Sequence, residues 1–305
     1  MTENETLFQA KLRSGKPILI VEVAPPKGGD PAPLRIAAKH YGGKVHAIGV
    51  SDNRHGVCMA SLAAAAVLAA EGVESILHMV TRDRNRIALI SDCLGAHALG
   101  VRNILCTSGE HQTLGVCPPA RNVYDVDSTQ LIEAIVQMGK EASHICGERF
   151  DGVGSFCTGA VAAPFADPVE LQLIRLAKKV TAGAKFLITE PVYDLERFRT
   201  WWDQVTQRGI HEKTRILAGI QPLLDAARAK SYAESRPDPR IPRSVLKRLS
   251  SAGDSSAERA GGIQIAIETI REISTLKGVA GFQISAGDDA DAVLEIMERS
   301  GLEAR

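Results

Sequence analysis

The chain has 305 residues, 45% hydrophobic and 24% charged, so it is long enough to bury a sizeable core. Lys+Arg and Asp+Glu each number 36, and the formal charge of zero argues against a nucleic-acid partner or an anionic membrane surface. No apolar run approaches the roughly 20 residues that span a bilayer. Because the N-terminus is acidic and lacks a signal-peptide pattern, we expect a cytoplasmic protein.

The six cysteines do not form a metal-binding pattern. No Cys-x-x-Cys pair occurs, and zinc and iron–sulfur sites usually contain such pairs. We therefore expect no metal site and expect most of the cysteines to be buried thiols that pack as small hydrophobic residues.

Short apolar, β-branched runs alternate with longer Ala- and Leu-rich segments of helical periodicity. This alternation predicts repeated βα units. The predicted strands cover residues 18–23, 45–50, 75–80, 103–106, 152–156, 186–189, 215–220 and 279–284. The predicted helices cover residues 31–40, 57–70, 85–99, 129–143, 169–181, 195–207, 257–276 and 290–299, with a short additional helix at 243–249.

Eight strands with eight major helices predict an α/β fold, a (βα)8 TIM barrel that forms a single domain over residues 1–305. The alternative is a doubly wound open sheet, which usually has fewer strands. No Gly-x-Gly-x-x-Gly follows a predicted strand, which further disfavours that alternative. Two connections are long: the fourth βα loop, residues 107–127, and an insertion after strand seven. Long ordered loops on the active face of a barrel typically cover a bound ligand.

The first predicted strand carries one carboxylate, Glu22, shortly before Pro25 and Pro26. Proline cannot donate to a β-ladder, so the strand ends there and Glu22 lies at its carboxyl end. In an α/β barrel that end of the strands carries the active site. Taken alone, Glu22 is explained equally well as a carboxylate that surfaces at a strand end.

Two further glutamates, Glu110 and Glu190, follow the fourth and sixth strands, so the fold predicts that all three meet on one face. Clustered carboxylates repel one another, and we expect this to raise the pKa of at least one, which could then donate a proton near neutral pH. Singly, each is more readily explained as a solvated loop carboxylate. Other polar residues at strand ends are Ser51, Asp52, Asn53, Arg54 and His55 after the second strand, and His78 with residues 81–85 at the third. His78 is equally well explained as a core histidine.

Five motifs together resemble the methylenetetrahydrofolate reductase family, in the form found in acetogens and other anaerobes. They are VEVAPPK from Val21, HMVTRDRN from His78, NILCTSGE from Asn103, KVTAGAKFLITEPVYD from Lys179 and GIQPL from Gly219. The resemblance implies a (βα)8 barrel that binds a flavin noncovalently, usually FAD, with FMN as the alternative. It implies reduction of 5,10-methylenetetrahydrofolate to 5-methyltetrahydrofolate by ping-pong hydride transfer.

The resemblance also implies roles for individual residues. Glu22 would be the general acid that helps to open the methylene bridge, and Glu110 would lie near the flavin and the folate. Glu190 and Gln221 would contact the substrate. The implied flavin contacts are Ser51, His78, Gly109, Tyr124, Asp125, Phe156 and Lys179, although Lys179 is otherwise explained as a surface lysine. The expected electron donor is NAD(P)H or a partner subunit, and a homo-oligomer is the alternative assembly.

Four positions on the loops after strands four and six depart from the family pattern. Glu110 stands where the family usually has Asp, Glu190 where many members have Gln, and Pro191 with Val192 where an aromatic pair usually follows. An ionised glutamate only accepts hydrogen bonds, whereas glutamine also donates. Two alternatives to the reductase therefore stay open: a non-catalytic flavin-binding electron-relay subunit of a larger complex, and a pterin-binding methyltransferase barrel without flavin.

Overall fold

A computed structural model describes residues 5–303 apart from residues 55, 115–116, 144, 146, 153, 235–240, 286 and 288. Within this part of the chain, eight β-strands alternate with helices. The strands are β1 (Ile18–Val23), β2 (Ala47–Val50), β3 (Ser75–Val80), β4 (Asn103–Thr107), β5 (Cys157–Ala162), β6 (Phe186–Pro191), β7 (Arg215–Ile220) and β8 (Gly281–Ile284).

The helices follow the strands, with additional ones before β1, immediately before β7 and after β7. They are α1 (Leu7–Arg13), α2 (Ala32–Tyr41), α3 (Ser61–Ala70), α4 (Arg86–Ala98), α5 (Ser128–Glu141), α6 (Val169–Ala182), α7 (Leu195–Gln207), α8 (Ile210–Lys213), α9 (Ala226–Glu234), α10 (Arg243–Ser250), α11 (Ser255–Ser274) and α12 (Ala290–Ser300). None of the helices in the described ranges is long and apolar enough to cross a membrane.

The eight strands form one closed parallel barrel. Each strand pairs with its neighbours in chain order, and β8 pairs with β1 to close the sheet. The prediction of a (βα)8 TIM barrel is confirmed, and the doubly wound open sheet is wrong. Parallel closure places the carboxyl ends of all eight strands on one face, which is where α/β barrels bind their ligands.

Several predicted boundaries match the structure at both ends, namely those of β1, β3, β7 and α7. Capping residues explain why other helices begin where the sequence indicates. The Asn85 side chain accepts a hydrogen bond from the amide of Ala88 at the start of α4. Asp127 and Gln130 form a capping box at the start of α5.

The prediction for the fifth strand is wrong, because β5 begins at Cys157, after the predicted 152–156 segment. Its sequence, CTGAVA, consists mostly of small residues, and its Gly and two Ala residues are uncommon in strands. Small size is required here, since a Cβ added at Gly159 would lie 2.3 Å from the ring of Phe186 on β6. The neighbouring strand therefore explains a segment that local propensity does not.

Apolar side chains fill the barrel near the amino ends of the strands. These inward-facing residues are Ile18, Ile20, Ala47, Ile76, Leu105, Cys157, Phe186, Ile188, Leu217 and Ala280. Helix α1, which the sequence pattern does not predict, closes this end. Phe8 on α1 is fully buried, and its ring meets that of Phe186 edge to face with centroids 5.3 Å apart.

The insertion after β7 packs at the opposite end of the barrel. Helices α9 and α10 form a small separate core, with Ala229 from α9 and Leu249 from α10. Tyr193, just after β6, Leu223 and Ile241 complete this core. The predicted helix at 243–249 corresponds to α10, whereas α9 has no counterpart in the prediction. The insertion thus brings additional side chains over the carboxyl face.

Three of the five described cysteines are buried, namely Cys93, Cys106 and Cys157. Burial raises the pKa of each of these thiols, to about 12 for Cys157. A thiol that stays protonated is a poor nucleophile, so these residues pack as the sequence predicts. Cys146 lies outside the described residues.

Candidate active site

A cavity of about 320 Å³ opens at the carboxyl end of the barrel, and we call it the central cavity. All eight strands, or the loops after them, contribute to its wall. Its polar and charged residues are Glu22, Ser51, Asp52, Arg54, His78, Arg82, Thr107, Ser108, Glu110, Ser128, Lys179, Thr189, Glu190, Tyr232, Gln283 and Ser285. Its apolar side chains are Val80, Leu105, Val161, Ala163, Ile188, Pro191 and Ile220.

Glu22 forms part of the cavity floor. Residues of β1 alternate between the two faces of the sheet, so Glu22 follows Ile18 and Ile20 on the inner side. Only 6% of Glu22 is exposed. Its Oε1 atom accepts a hydrogen bond from Arg54 Nη1 at 3.0 Å, and its Oε2 atom accepts one from Gln283 Nε2 at 2.7 Å. Both contacts stabilise the ionised carboxylate, which in turn raises the pKa of Arg54.

His78 lies beside Glu22 on the same inner layer. Gly49 makes room for its ring, since a Cβ at that position would lie 2.9 Å from His78 Nε2. Among the described residues, His78 Nε2 and Gln283 Oε1 have no hydrogen-bond partner although both are buried. Burial lowers the pKa of His78, so the ring is neutral near pH 7. The cavity floor thus presents two buried polar atoms that a bound molecule or a water could satisfy.

Glu190 lies at an irregular strand end. The register between β6 and β7 shifts between Ile188 and Pro191. The amide of Gly219 donates to Thr189 Oγ1 at 2.9 Å, and the Thr189 hydroxyl donates to the backbone oxygen of Glu190 at 2.8 Å. An added Cβ at Gly219 would lie only 2.4 Å from the backbone oxygen of Thr189. Such irregularities are common beside active sites, and this one lies where Glu190 lines the cavity.

Glu110 lies at the rim of the cavity and is exposed to solvent. Arg82, which is 7% exposed, donates from Nη1 to the backbone oxygen of Glu110 at 3.1 Å. The same guanidinium holds Asp83 through two hydrogen bonds of 2.7 and 2.9 Å. Gly109 adopts a φ of +77° and packs so closely that a Cβ would meet Val80 at 2.8 Å. Arg82 and Gly109 therefore fix the turn that carries Glu110.

The three glutamates line the same cavity, as the sequence predicts, but at different depths. Glu22 is in the floor, Glu190 is half-buried in the wall, and Glu110 is at the rim. The charge environment of Glu22 includes a bound guanidinium that the sequence argument did not anticipate. The hydrogen bonds from Arg54 and Gln283 favour the carboxylate, whereas clustering with other glutamates would favour the protonated acid.

Ser51 and Lys179, two of the predicted cofactor contacts, also lie on the cavity wall. Ser51 is 4% exposed and follows β2 directly. Lys179 reaches inward from α6, and its Nζ donates to the backbone oxygen of Val161 at 2.7 Å. Burial lowers the pKa of Lys179. Lys179 therefore lines the cavity and is not a surface lysine.

Four predicted site residues do not line the central cavity. Tyr124 is exposed, and its hydroxyl donates to the oxygen of Gly109 at 3.4 Å. Asp125 pairs with Arg86 on the outside, which lowers its pKa to about 2. Gln221 follows β7 beyond the cavity wall. Phe156 precedes β5, at the amino end of that strand, because β5 starts later than predicted.

Phe156 has a clear packing role at that position. Its ring meets the His97 ring edge to face at 5.8 Å. His97 Nε2 in turn accepts a hydrogen bond from the amide of Gly154 at 2.9 Å. These contacts connect the segment before β5 to α4, and Phe156 lies away from the central cavity.

Most of the cavity-lining residues were not among the predicted site residues, and the largest polar ones of these are Arg54, Arg82, Tyr232 and Gln283. Arg54 and Gln283 do lie in segments at strand ends, so their position was a usable signal. Their contact with Glu22 joins positions 261 residues apart in the case of Gln283, which no local pattern reveals. Tyr232 reaches the cavity only because α9 folds back over it. His55 lies outside the described residues.

Comparison with known proteins agrees with this geometry. A family model described as methylenetetrahydrofolate reductase matches residues 7–301. Methylenetetrahydrofolate reductase 2 of Saccharomyces cerevisiae is 27% identical over 236 residues, which cover 73% of this chain and 37% of the yeast protein. The probable methylenetetrahydrofolate reductase (NADPH) of Caenorhabditis elegans is 25% identical over 248 residues, covering 81% of this chain and 35% of the worm protein. The chain spans about a third of the length of these relatives.

Among solved structures, a protein from Clostridium thermocellum has the same fold, with a TM-score of 0.66 and 12% identity. The match covers 96% of this chain and 97% of that one, which is described as binding two copies of 5-methyl-5,6,7,8-tetrahydrofolic acid. At this identity the likeness concerns the fold alone. The family match extends across nearly the whole barrel and includes every strand, and the chain therefore belongs to the methylenetetrahydrofolate reductase family.

Proposed function

We propose that this protein reduces 5,10-methylenetetrahydrofolate to 5-methyltetrahydrofolate and uses a bound flavin, FAD or FMN, as its hydride carrier. Membership of the family supports the reaction class. The observation that carries the proposal is Glu22, a buried carboxyl group in the floor of a cavity at the carboxyl face. A carboxyl group at this position can transfer a proton to a substrate held above it.

The cavity residues fit a flavin. A flavin ring needs apolar walls and a few polar partners at its edge, and Val80, Leu105 and Ile188 provide such walls. The unpartnered buried Nε2 atom of His78 provides a polar contact. Ser51, His78, Gly109 and Lys179 are the predicted contacts that line the cavity, and they would hold the group. When bound, a flavin supplies hydride transfer.

A ligand with phosphate groups also suits the rim. Ser108 and Ser128 line the cavity where α5 begins, and the Ser128 amide donates to Ser108 Oγ at 3.3 Å. The first amides of α5 are already bonded to Ser108 and to the Asp127 cap, so the two serine hydroxyl groups are what this helix start offers to a phosphate. The ammonium group of Lys179 lies on the same wall. These features support the FAD or FMN assignment.

The chain's own residues then have distinct tasks. Glu22 donates a proton to the amine nitrogen that leaves as the methylene bridge opens, which favours the iminium form of the substrate. Gln283 holds Glu22 in place through its amide. Glu190 and Glu110 contact the pterin from the wall and the rim. The apolar walls exclude water around the reacting carbon.

Two sources of electrons are consistent with the site: NAD(P)H and an electron-donating partner subunit. Pro191 lines the cavity where many family members place an aromatic residue, which weakens stacking of a nicotinamide ring. We therefore expect slow reduction by NADH or NADPH compared with dithionite or an artificial donor.

The absorbance spectrum of the purified full chain tests the proposal. We expect bound flavin that is bleached by dithionite and reoxidised anaerobically by methylenetetrahydrofolate, with 5-methyltetrahydrofolate found by chromatography. Absence of flavin, together with no folate-dependent reoxidation after FAD or FMN is added back, would contradict it. Folate binding without any flavin would indicate a methyltransferase barrel instead.

The Arg54–Glu22 ion pair favours a second candidate, a flavin-binding subunit that relays electrons without reducing folate. A permanently ionised Glu22 cannot act as an acid. This candidate predicts bound, reducible flavin and no reoxidation by methylenetetrahydrofolate, so the same titration separates it from the reductase.

A further inference from the structure

The contacts of Glu22 conflict with a simple role as proton donor. Arg54 and Gln283 each donate to one of its two carboxylate oxygens, at 3.0 and 2.7 Å. A guanidinium group has five donors and no acceptor, so it cannot accept the proton of a carboxylic acid. The geometry around Oε1 therefore matches a carboxylate, whereas donation to the substrate requires a carboxylic acid.

Of the two partners, Arg54 is the one that can move away. Gln283 and Glu22 lie on the paired strands β8 and β1, where the backbone register is fixed. Arg54 lies on the loop after β2, and 36% of its side chain is exposed. The preceding residue, Asn53, has a φ of +48°, as expected for a turn outside the sheet.

A second acceptor for Arg54 exists nearby. The hydroxyl of Tyr193 is buried and has no hydrogen-bond partner among the described residues. Burial raises the pKa of Tyr193, so the hydroxyl stays neutral and its oxygen can accept from a guanidinium, while the nearby charge of Arg54 acts in the opposite direction. Tyr193 belongs to the small core formed with α9 and α10, which also carries Tyr232 into the cavity.

We propose that Arg54 is a positioning residue that holds Glu22 as a carboxylate in the substrate-free protein, and that the entering pterin releases it toward the hydroxyl of Tyr193. Glu22 then takes one proton from solvent at Oε1 and donates the same proton to the amine nitrogen of the opening methylene bridge. One proton is thus consumed in each turnover, and the carboxylate that remains recaptures Arg54 after product release. The proton-donating step rests on the proposed function.

The charged and titratable groups around Glu22 come from several elements. Among the described residues, Arg54 from the loop after β2 and His78 from β3 interact with Glu22, and Tyr193 after β6 and Tyr232 from α9 interact with Arg54. The other charged residues of the same cavity are Asp52, Arg82, Glu110, Lys179 and Glu190. His78 is buried and neutral near pH 7, and Tyr193 stays protonated. Arg54 is therefore the cation whose removal should change the protonation of Glu22 most.

Infrared difference spectroscopy of the flavin-loaded protein measures this protonation without turnover. The carboxylic-acid band of Glu22 is identified by its loss in Glu22→Gln. We expect it to appear at a pH about one unit or more higher in Arg54→Met than in wild type, because an adjacent Arg lowers a carboxyl pKa by about 1–3 units. Arg54→Lys, which keeps the charge, should restore most of the wild-type behaviour.

Added 5-methyltetrahydrofolate tests the release of Arg54. In wild type it should move the protonation of Glu22 toward the value in Arg54→Met, and in Arg54→Met it should cause little further shift. Tyr193→Phe should leave the substrate-free titration unchanged but reduce the shift on binding and weaken binding several-fold. This variant removes only an unpartnered buried hydroxyl, so it should fold.

The matched control is Arg199→Met, because Arg199 also pairs with a glutamate, Glu272, but on the outer helices. The proposal is overturned if Glu22 protonates at the same pH in Arg54→Met and wild type, or if Arg199→Met shifts it equally. It is also overturned if 5-methyltetrahydrofolate leaves the wild-type titration unchanged. Because the substrate-free measurement needs no catalysis, failure of the reductase activity would be a separate result.

Discussion

The two ends of the barrel interior are built from the same eight strands but have opposite chemistry. At the amino end, Ile18, Ile76 and Phe186 pack with Phe8 of α1 into an apolar plug. Two residues or four residues further along the same strands, Glu22, His78 and Glu190 line a cavity. Every second residue of a strand points into the barrel. A step of two or four residues along a strand is therefore enough to pass from the apolar plug to the polar cavity.

This contrast separates stability from function along the barrel axis. Buried polar groups such as Glu22 cost free energy unless they are fully paired, whereas the apolar plug contributes through burial and packing. Substitutions at the amino end should therefore reduce stability with little direct effect on chemistry. Substitutions at the carboxyl end should do the reverse.

Glu22→Gln should have the largest effect, on the chemical step at the carboxyl end. The amide cannot serve as a proton donor of comparable acidity, so we expect folate-dependent reoxidation of the reduced flavin to slow by about 10²–10⁴-fold. Flavin binding and reduction by dithionite should persist. Stopped-flow absorbance measures both half-reactions, with Glu196→Gln on the exposed side of α7 as the matched control. A normal oxidative half-reaction in Glu22→Gln would remove Glu22 from the acid role.

Phe186→Ala should have the largest effect at the amino end. Phe186 is fully buried and contacts Phe8 and the backbone at Gly159. We expect the free energy of unfolding to fall by about 3–5 kcal/mol, as for other buried phenylalanines, in urea unfolding followed by circular dichroism. Leu7→Ala, at a residue that is 72% exposed, should change it by no more than about 0.5 kcal/mol. Equal effects of the two variants would contradict the plug.

Gly49→Ala should affect both stability and flavin binding. The added methyl group would lie 2.9 Å from His78 Nε2, so the ring must move or the barrel must adjust. We expect a loss of about 1–3 kcal/mol in unfolding free energy together with weaker flavin binding, measured by fluorescence titration. Gly28→Ala, where an added Cβ meets nothing within 4 Å, is the control. Unchanged flavin affinity would show that the His78 ring has more room than its contacts indicate.

Arg248→Met should have the smallest effect on stability, because Arg248 lies on the outer helix α10, away from both the apolar plug and the central cavity. The hydrogen bond from Arg248 lowers the pKa of Glu268 to about 2 from an ordinary value of 4.5. A lowered folded-state pKa stabilises the protein above pH 4.5, and this stabilisation is lost as the pH falls toward 2. Both side chains are about half exposed, so we expect only about 0.5 kcal/mol at pH 7.

Thermal unfolding of wild type and Arg248→Met between pH 7 and pH 3 measures this contribution. The difference in melting temperature should shrink below pH 4.5. A difference that grows on acidification would have the wrong sign for this pair.

Much of the architecture follows from local pattern. Apolar runs with clear ends place β3 and β7, and caps such as Asn85 and Asp127 place the helix starts. Once the strands are in order, the parallel closure of the barrel brings Glu22, Glu110 and Glu190 to one cavity. These parts depend on short-range preferences and on one rule of fold geometry, so one sequence is enough to predict them.

The predictions that the structure does not support have a different origin. Position along the chain suggests Tyr124, Asp125, Phe156 and Gln221 as site residues, but it does not specify the direction of a side chain. The strand at Cys157–Ala162 is weak in strand signal because its neighbour Phe186 fills the space beside it. Helix α1 is short, and its place follows from Phe8 closing the barrel. Each depends on a partner that is distant in sequence.

The sequence by itself determined the βα repeat, the strand ends and the presence of Glu22 on the active face, because periodicity and proline placement act locally. Tertiary structure alone decided the charge environment of that residue. Arg54 is 32 residues and Gln283 is 261 residues from Glu22, and barrel closure brings both within hydrogen-bonding distance. A carboxyl group's protonation depends on such neighbours, so the same Glu22 that the sequence identifies as an acid is found in the structure as one half of an ion pair.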